Sequence, residues 1–211
     1  MFIDLIFPPT CVNCEAAGDW LCPACLSKIN LHAHKREARP PFETVLTCGN
    51  YADPGLRRLV TTFKYRSARC LTEAWRQILK KYRRQFLEPW PWAGLSSLVV
   101  TSIPADPDRA RRRGMDHAAI LADIIKEELV PWAGRQTLLV RSRPTLQNAN
   151  LPTDLSRAAN VSGAFNALQR VATPVLLVDD VLTTGATSEE AGRVLLAAGA
   201  PAVFLLVMAE G

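Results

Sequence analysis

The thirteen residues Val175-Leu-Leu-Val-Asp-Asp-Val-Leu-Thr-Thr-Gly-Ala-Thr187 constrain the fold more than any other part of the chain. Four apolar residues in a row predict a strand buried on both faces, as in a parallel sheet covered by helices. Asp179 and Asp180 end that run and put two carboxylates just beyond the strand's C-terminal edge, where open α/β sheets bind ligands. The Thr183-Thr184-Gly185-Ala186-Thr187 turn is small and rich in hydroxyls, and it falls where a helix begins. Free amides and the positive end of the helix dipole favour a phosphate dianion there, and Gly185 lets the backbone approach closely. Thr187 and Glu190 stand at capping-box spacing. A helix from about Thr187 to Ala198, stopped by Gly199, and an apolar strand from Ala202 to Met208 complete a βαβ unit.

The rest of the chain repeats the alternation. Thr44 to Tyr51 reads as a strand. Leu56, Leu59, Val60 and Phe63 then recur at helical spacing, and Leu71, Ala74, Trp75, Ile78, Leu79 and Tyr82 do so over a longer helix. Ser97 to Ser102 and Thr137 to Val140 are further strands. Between them Asp116 is placed to cap a helix that would bury Ala119, Ile120, Ile124 and Ile125. Arg141 to Ser162 is too poor in apolar residues for a sheet or a core helix and reads as a long polar loop, a type commonly tied to function or disorder. The expected class is α/β, with a largely parallel sheet flanked by helices. At 211 residues, one main domain is expected at 41–211 behind a small module at 1–40, with the boundary in the polar stretch His32 to Pro41.

That module is marked by Cys11-x-x-Cys14 and Cys22-x-x-Cys25. Each pair can place two thiolates on one metal, and together they complete the tetrahedral sulfur shell that zinc prefers. Two disulfides or a redox pair are the competing readings. The N-terminus opens without basic residues and meets Pro8 and Pro9 early, so export is not expected, and a cytoplasmic location favours zinc over disulfides. His32 and His34 are spare candidates as ligands but fit surface positions better. Cys48 and Cys70 have no partner at metal spacing and are expected to be buried, inert thiols. No apolar run reaches the roughly 18 residues of a membrane span.

The net charge of +5 suits phosphate-rich partners without choosing one. Thr101-Ser102-Ile103-Pro104 ends a strand, and Arg109, Arg111, Arg112 and Arg113 follow. Guanidinium groups there can stabilise a leaving pyrophosphate, contact a nucleic-acid backbone, or simply face water. Lys80, Lys81, Arg83 and Arg84 fit the wet side of their helix, with nucleic-acid contact as the rival. Lys64 can reach a phosphate, although one lysine is a weak signal. The Asp179-Asp180 carboxylates can accept hydrogen bonds from a ribose diol or help hold hydrated magnesium. An Asp-Asp pair considered alone would favour a solvated strand end. Neither GxxxxGK[ST] nor GxGxxG occurs.

Val175 to Thr187 closely resembles the signature by which type I phosphoribosyltransferases bind 5-phosphoribosyl-1-pyrophosphate (PRPP). The resemblance implies that Asp179 and Asp180 meet the ribose hydroxyls, that Thr183 to Thr187 wrap the 5′-phosphate, and that Val181 and Leu182 belong to the same PRPP-binding segment. It further implies that Ser102, Ile103 and Pro104 belong to the pyrophosphate loop, that Arg112 and Arg113 stabilise the leaving group, and that magnesium accompanies the ligand. Adding the paired CxxC knuckles, Phe63-Lys64-Tyr65, Arg111 to Gly114, and Thr145-x-Gln147 to Arg157-x-x-Asn160, nearly the whole chain resembles the ComF family. Family members usually carry Asn-Gln where this chain has Asp116-His117. The resemblance implies a cytoplasmic bacterial protein of DNA uptake and natural transformation. Two functions stay open: a magnesium-dependent phosphoribosyltransferase, and a non-catalytic sensor that engages single-stranded DNA or a protein of the competence machinery. The acceptor substrate is not readable.

Overall fold

A computed structural model describes residues 8–36, 40–65, 70–85, 90–108, 111, 114–146 and 153–211. The first element is a short helix α1 (Pro23–Lys28), which starts directly after Cys22 with proline in its first turn, a position where the missing N–H is harmless. Strands β1 (Leu31–Arg36) and β2 (Thr44–Gly49) follow, then helices α2 (Pro54–Tyr65) and α3 (Thr72–Gln85). Next come β3 (Val99–Ser102), α4 (His117–Glu128), β4 (Gly134–Arg135), β5 (Leu139–Arg141) and α5 (Asp154–Val161). The chain closes with β6 (Phe165–Ala167), β7 (Val175–Leu182), α6 (Ala186–Ala197) and β8 (Val203–Glu210).

Six strands form one sheet in the order β1-β2-β8-β7-β3-β4, parallel throughout except for the antiparallel edge strand β1. β5 and β6 form a separate antiparallel pair. The expected α/β class with a mostly parallel sheet is therefore present. β7 shows why its apolar run does not alternate with polar residues. Leu176 and Val178 belong to the core shared with α2, α3 and α4, whereas Val175 and Leu177 face the core built on Leu195 and Ala191 of α6. Every residue of the run is buried, and each such side chain is worth about 1.5–3 kcal/mol relative to exposure.

Leu31 to Arg36, which overlaps the stretch expected to hold the domain boundary, pairs with β2 at the edge of the main sheet, and Cys11, Leu21 and Ile29 share a core with Leu56, Phe63 and Trp75. Several other expectations are corrected. α4 is capped by Asp116, whose Oδ1 accepts from the amide of Ala119 at 3.1 Å, but the buried residues include His117, Ala118, Leu121 and Ala122, with Ala119 and Ile120 only half-buried. The polar stretch expected to be a loop contains α5, entered by reciprocal Thr153 and Ser156 hydrogen bonds. Serine takes the place where a capping box usually shows Glu or Gln, and Val161 is α5's one buried residue, so neither signal was visible. The Thr187–Glu190 box does not form. Gly185 occupies the cap, and Glu190 accepts instead from the amide of Gly163 at 2.7 Å and pairs with Arg193. Cys48 is buried as expected, and burial pushes its thiol pKa up, but Cys70 is exposed.

Candidate functional site

The C-terminal ends of β3 and β7, the start of α4 and the start of α6 enclose a cleft of about 380 Å³. The register explains how distant segments meet there. Ser102 pairs with Val178, and the amide of Ile103 donates to the Val178 carbonyl at 3.0 Å. Ile103-Pro104 therefore runs beside Asp179-Asp180, and all four residues line the cleft together with Val181 to Thr187. Ser102 lies one position back along β3, half-buried and off the cleft lining. Arg109, Arg112 and Arg113 lie outside the described residues, as does Gln147. Arg111 is exposed and paired with Asp108 at 2.6 Å.

β7 runs three residues past Asp179, to Leu182, so the acidic doublet belongs to the last stretch of the strand and does not lie beyond it. Asp179 Oδ1 accepts from the amide of Asp180 at 2.8 Å, and Asp180 Oδ1 lies 2.9 Å from Lys64 Nζ. Burial pushes the Asp179 carboxyl up to about 7, the Asp180 and Asp116 charges add to the rise, and the Asp180 amide and Lys64 oppose it. Gly185 turns the chain at φ +86°, a conformation that disfavours any residue with a Cβ. The hydroxyl of Thr184, which lines the cleft, is buried without a hydrogen-bond partner among the described residues. An unsatisfied buried hydroxyl costs about 1–3 kcal/mol, which a ligand oxygen would recover. The first residues of α6, Ala186 to Ser188, line the same space, at the end of a helix where backbone amides lack intrahelical acceptors.

Sequence reasoning did not place Asp106, Arg141 or Tyr51 in this cleft, and it valued Lys64 too lightly. Asp116 and His117, noted for departing from the Asn-Gln pattern, line the cleft as well. Asp116 doubles as helix cap and acceptor from the amide of Ala105, and His117 is buried with its ring edge-on to Phe63 at 5.1 Å. Thr145 accepts from Arg141 at 2.7 Å, and Asn160 exchanges two hydrogen bonds with the backbone of Leu146. Arg157 pairs with Asp154 on α5. The Thr145 and Asn160 bonds tie residues 145 and 146 to β5 and α5, whereas the Arg157–Asp154 pair is local to α5.

The basic side of α3 is largely engaged. Lys81 donates to the carbonyls of Leu26, Ser27 and Ile29 at 2.7–3.2 Å, Arg83 to the Glu128 carbonyl, and Lys80 faces the Glu128 carboxylate. Lys81 thereby satisfies the carbonyls at the end of α1, which the helix itself leaves open.

Around α1 the sulfur atoms of Cys11, Cys14, Cys22 and Cys25 all lie within 4.8 Å of one another, and those of Cys14 and Cys22 are 3.6 Å apart. No disulfide links any of them. A tetrahedral zinc with bonds of about 2.3 Å needs sulfur separations of about 3.8 Å, so a small contraction closes the shell. Burial pushes the Cys11 thiol up, but the backbone amides of Cys22, Asn13 and Cys14 outweigh it and bring the pKa to about 6. Donation from amides to a thiolate suits a metal ligand. Burial and the neighbouring thiols push Cys25 up to about 12. Among the described residues this is the one His/Cys/Asp/Glu group gathered tightly enough to hold a metal ion. Among them, too, no helix is long and apolar enough to cross a membrane.

No protein-family model matches the chain. Over 207 residues it is 28% identical to the DNA utilization protein YhgH of Escherichia coli strain K12, an alignment covering 92% of this chain and 85% of that protein, and it matches YhgH of Escherichia coli O157:H7 to the same extent.

Proposed function

We propose that the chain is a ComF-type protein with a type I phosphoribosyltransferase-like domain at 41–211, that the cleft binds PRPP or a similar sugar phosphate, and that the protein works in DNA utilization, including uptake. One observation carries the ligand: two adjacent carboxylates, a threonine hydroxyl without a partner among the described residues and the first residues of a helix line one cleft within the short segment Asp179 to Ser188. Carboxylates suit a diol, and the amides and hydroxyl suit a phosphate, so the turn can recognise both ends of a ribose 5-phosphate. Asp179 and Asp180 are also the hard oxygen donors that hydrated magnesium accepts, and magnesium supplies charge neutralisation for a diphosphate. Ile103-Pro104 follows β3 along the cleft, where a leaving pyrophosphate would lie, and the arginines between 109 and 113 come next in the sequence with the charge that such a group needs. The DNA role rests on the similarity to YhgH along nearly the whole chain. Zinc in the four-cysteine cluster at 1–40 would be structural, because its four sulfur donors leave no open coordination position.

Calorimetric titration with PRPP and magnesium tests the reading. The full chain is expected to bind, and Asp179→Asn with Asp180→Asn to abolish binding; equal affinity in the double variant removes the assignment. Release of pyrophosphate across a panel of bases, amines and single-stranded DNA then separates an enzyme from a sensor.

A further inference from the structure

Four carboxylates, those of Asp106, Asp116, Asp179 and Asp180, line the cleft. A phosphate ester entering this field needs positive charge, and among the described lining residues Lys64 and Arg141 supply it. Arg141 is committed to the protein. Its Nε donates to the Pro104 carbonyl at 3.3 Å, its Nη1 to Thr145 at 2.7 Å, and its guanidinium lies 4.7 Å from the centre of the Phe165 ring. Lys64 is placed differently. It sits one residue before the end of α2, where the helix dipole favours a cation. Its side chain is 20% exposed, and its ammonium, a three-proton donor, meets Asp180 Oδ1 at 2.9 Å.

The helix that carries Lys64 is fixed at its other end. Asp53 Oδ1 caps it by accepting from the amide of Leu56 at 2.8 Å, while Asp53 Oδ2 accepts from the amide of Asn30. Arg58 donates to the Asn13 carbonyl at 2.8 Å, and Leu56, Leu59 and Phe63 share a core with Cys11 and Ile29. Lys64 is therefore presented on a rigid element braced by the cysteine module, so little of its side-chain entropy remains to be lost on binding.

We propose that Lys64 is a phosphate-binding residue of this cleft: anchored on Asp180, its ammonium donates its remaining N–H groups to phosphate oxygens of the bound sugar phosphate. The proposal rests on the sugar-phosphate reading above and adds to it a residue from a helix far upstream of the Asp179-Asp180 segment. The simpler role is that Lys64 only holds Asp180 in place.

Titration of the full chain with PRPP and magnesium, with inorganic phosphate and pyrophosphate as competitors, separates these roles. Lys64→Met, checked for an intact melting transition, is expected to weaken PRPP by roughly 10- to 100-fold, the range a charged hydrogen bond commands. It is expected to weaken by a similar factor whichever inorganic competitor binds the wild-type chain, since neither competitor has a ribose for Asp180 to contact. Lys64→Arg, which keeps the charge, is expected to recover most of the PRPP loss. Failure of the wild-type chain to bind PRPP defeats the reading of the cleft and this proposal with it. If the wild-type chain binds, the cleft reading stands, and three results overturn the role of Lys64: a Lys64→Met affinity within twofold of wild type, a loss confined to PRPP, or a Lys64→Arg variant as weak as Lys64→Met.

Discussion

The cysteine cluster and the acidic cleft, the two candidate ligand sites, are assembled in opposite ways. All four sulfurs come from Cys11 to Cys25, a local piece of chain whose spacing alone brings the donors together. The cleft draws on Tyr51, Lys64, Ile103, Asp116, Arg141 and Asp179 to Ser188, which meet only because β3, β7 and β8 align in parallel and α2 and α4 cover one face. Donor atoms define the ligand in the first site, and geometry defines it in the second. The local site should thus depend on its metal, and the assembled site on the protein around it.

The largest expected effect breaks or upholds the first half of that contrast. Removing the metal with a chelator, or Cys14→Ser, takes away the bonds that close the cluster, and the melting temperature should fall by on the order of 10 °C or more. A colorimetric zinc assay should return one ion per chain, and an unchanged melt would make the cysteines incidental. Lys81→Met is next. It strips three carbonyls at the end of α1 of their charged donor and should cost about 1–3 kcal/mol in urea unfolding. A null result would show that the module stands without support from α3.

Two smaller effects probe the cleft. Asp179 has a folded pKa of about 7 against an ordinary value of 3.8, so between these values the folded chain binds more protons than the unfolded one. Its contribution is therefore most favourable at low pH and is lost as pH rises through that window. Asp179→Asn should flatten that slope, giving a variant that gains about 1–2 kcal/mol on wild type between pH 4 and pH 8 in thermal unfolding. Parallel pH profiles for the two proteins would contradict the upward shift of this carboxyl. Finally, Gly185→Ala puts a Cβ on a residue at φ +86°, 3.3 Å from Glu189 Oε1. It should cost about 1 kcal/mol in unfolding while weakening PRPP more than tenfold; the reverse ranking would make the turn structural.

Sequence alone made much of this legible where the signal is local. The α2 and α3 stripes bury the residues their period named, Leu56, Leu59, Val60 and Phe63 in one and Ala74, Trp75, Ile78, Leu79 and Tyr82 in the other. It failed where a competing contact decides. Thr187 and Glu190 have the right spacing to cap α6, but Glu190 is drawn to the Gly163 amide and the helix begins one residue early. α5 stayed hidden because a surface helix with one buried residue leaves no hydrophobic period.

What the linear order of residues determined was the chemistry on offer: four thiols in two close pairs, a strand too apolar to face water, and a carboxylate doublet ahead of a glycine turn. Periodicity and short-range spacing are properties of neighbouring residues, and they survive without a fold. Tertiary structure alone decided that Lys64 meets Asp180, that Asp116 helps to raise the Asp179 pKa, and that Arg141 is held by Pro104 and Thr145. Those pairings span up to more than a hundred residues of chain. Their energies depend on burial and distance, which exist only once the sheet has fixed its register.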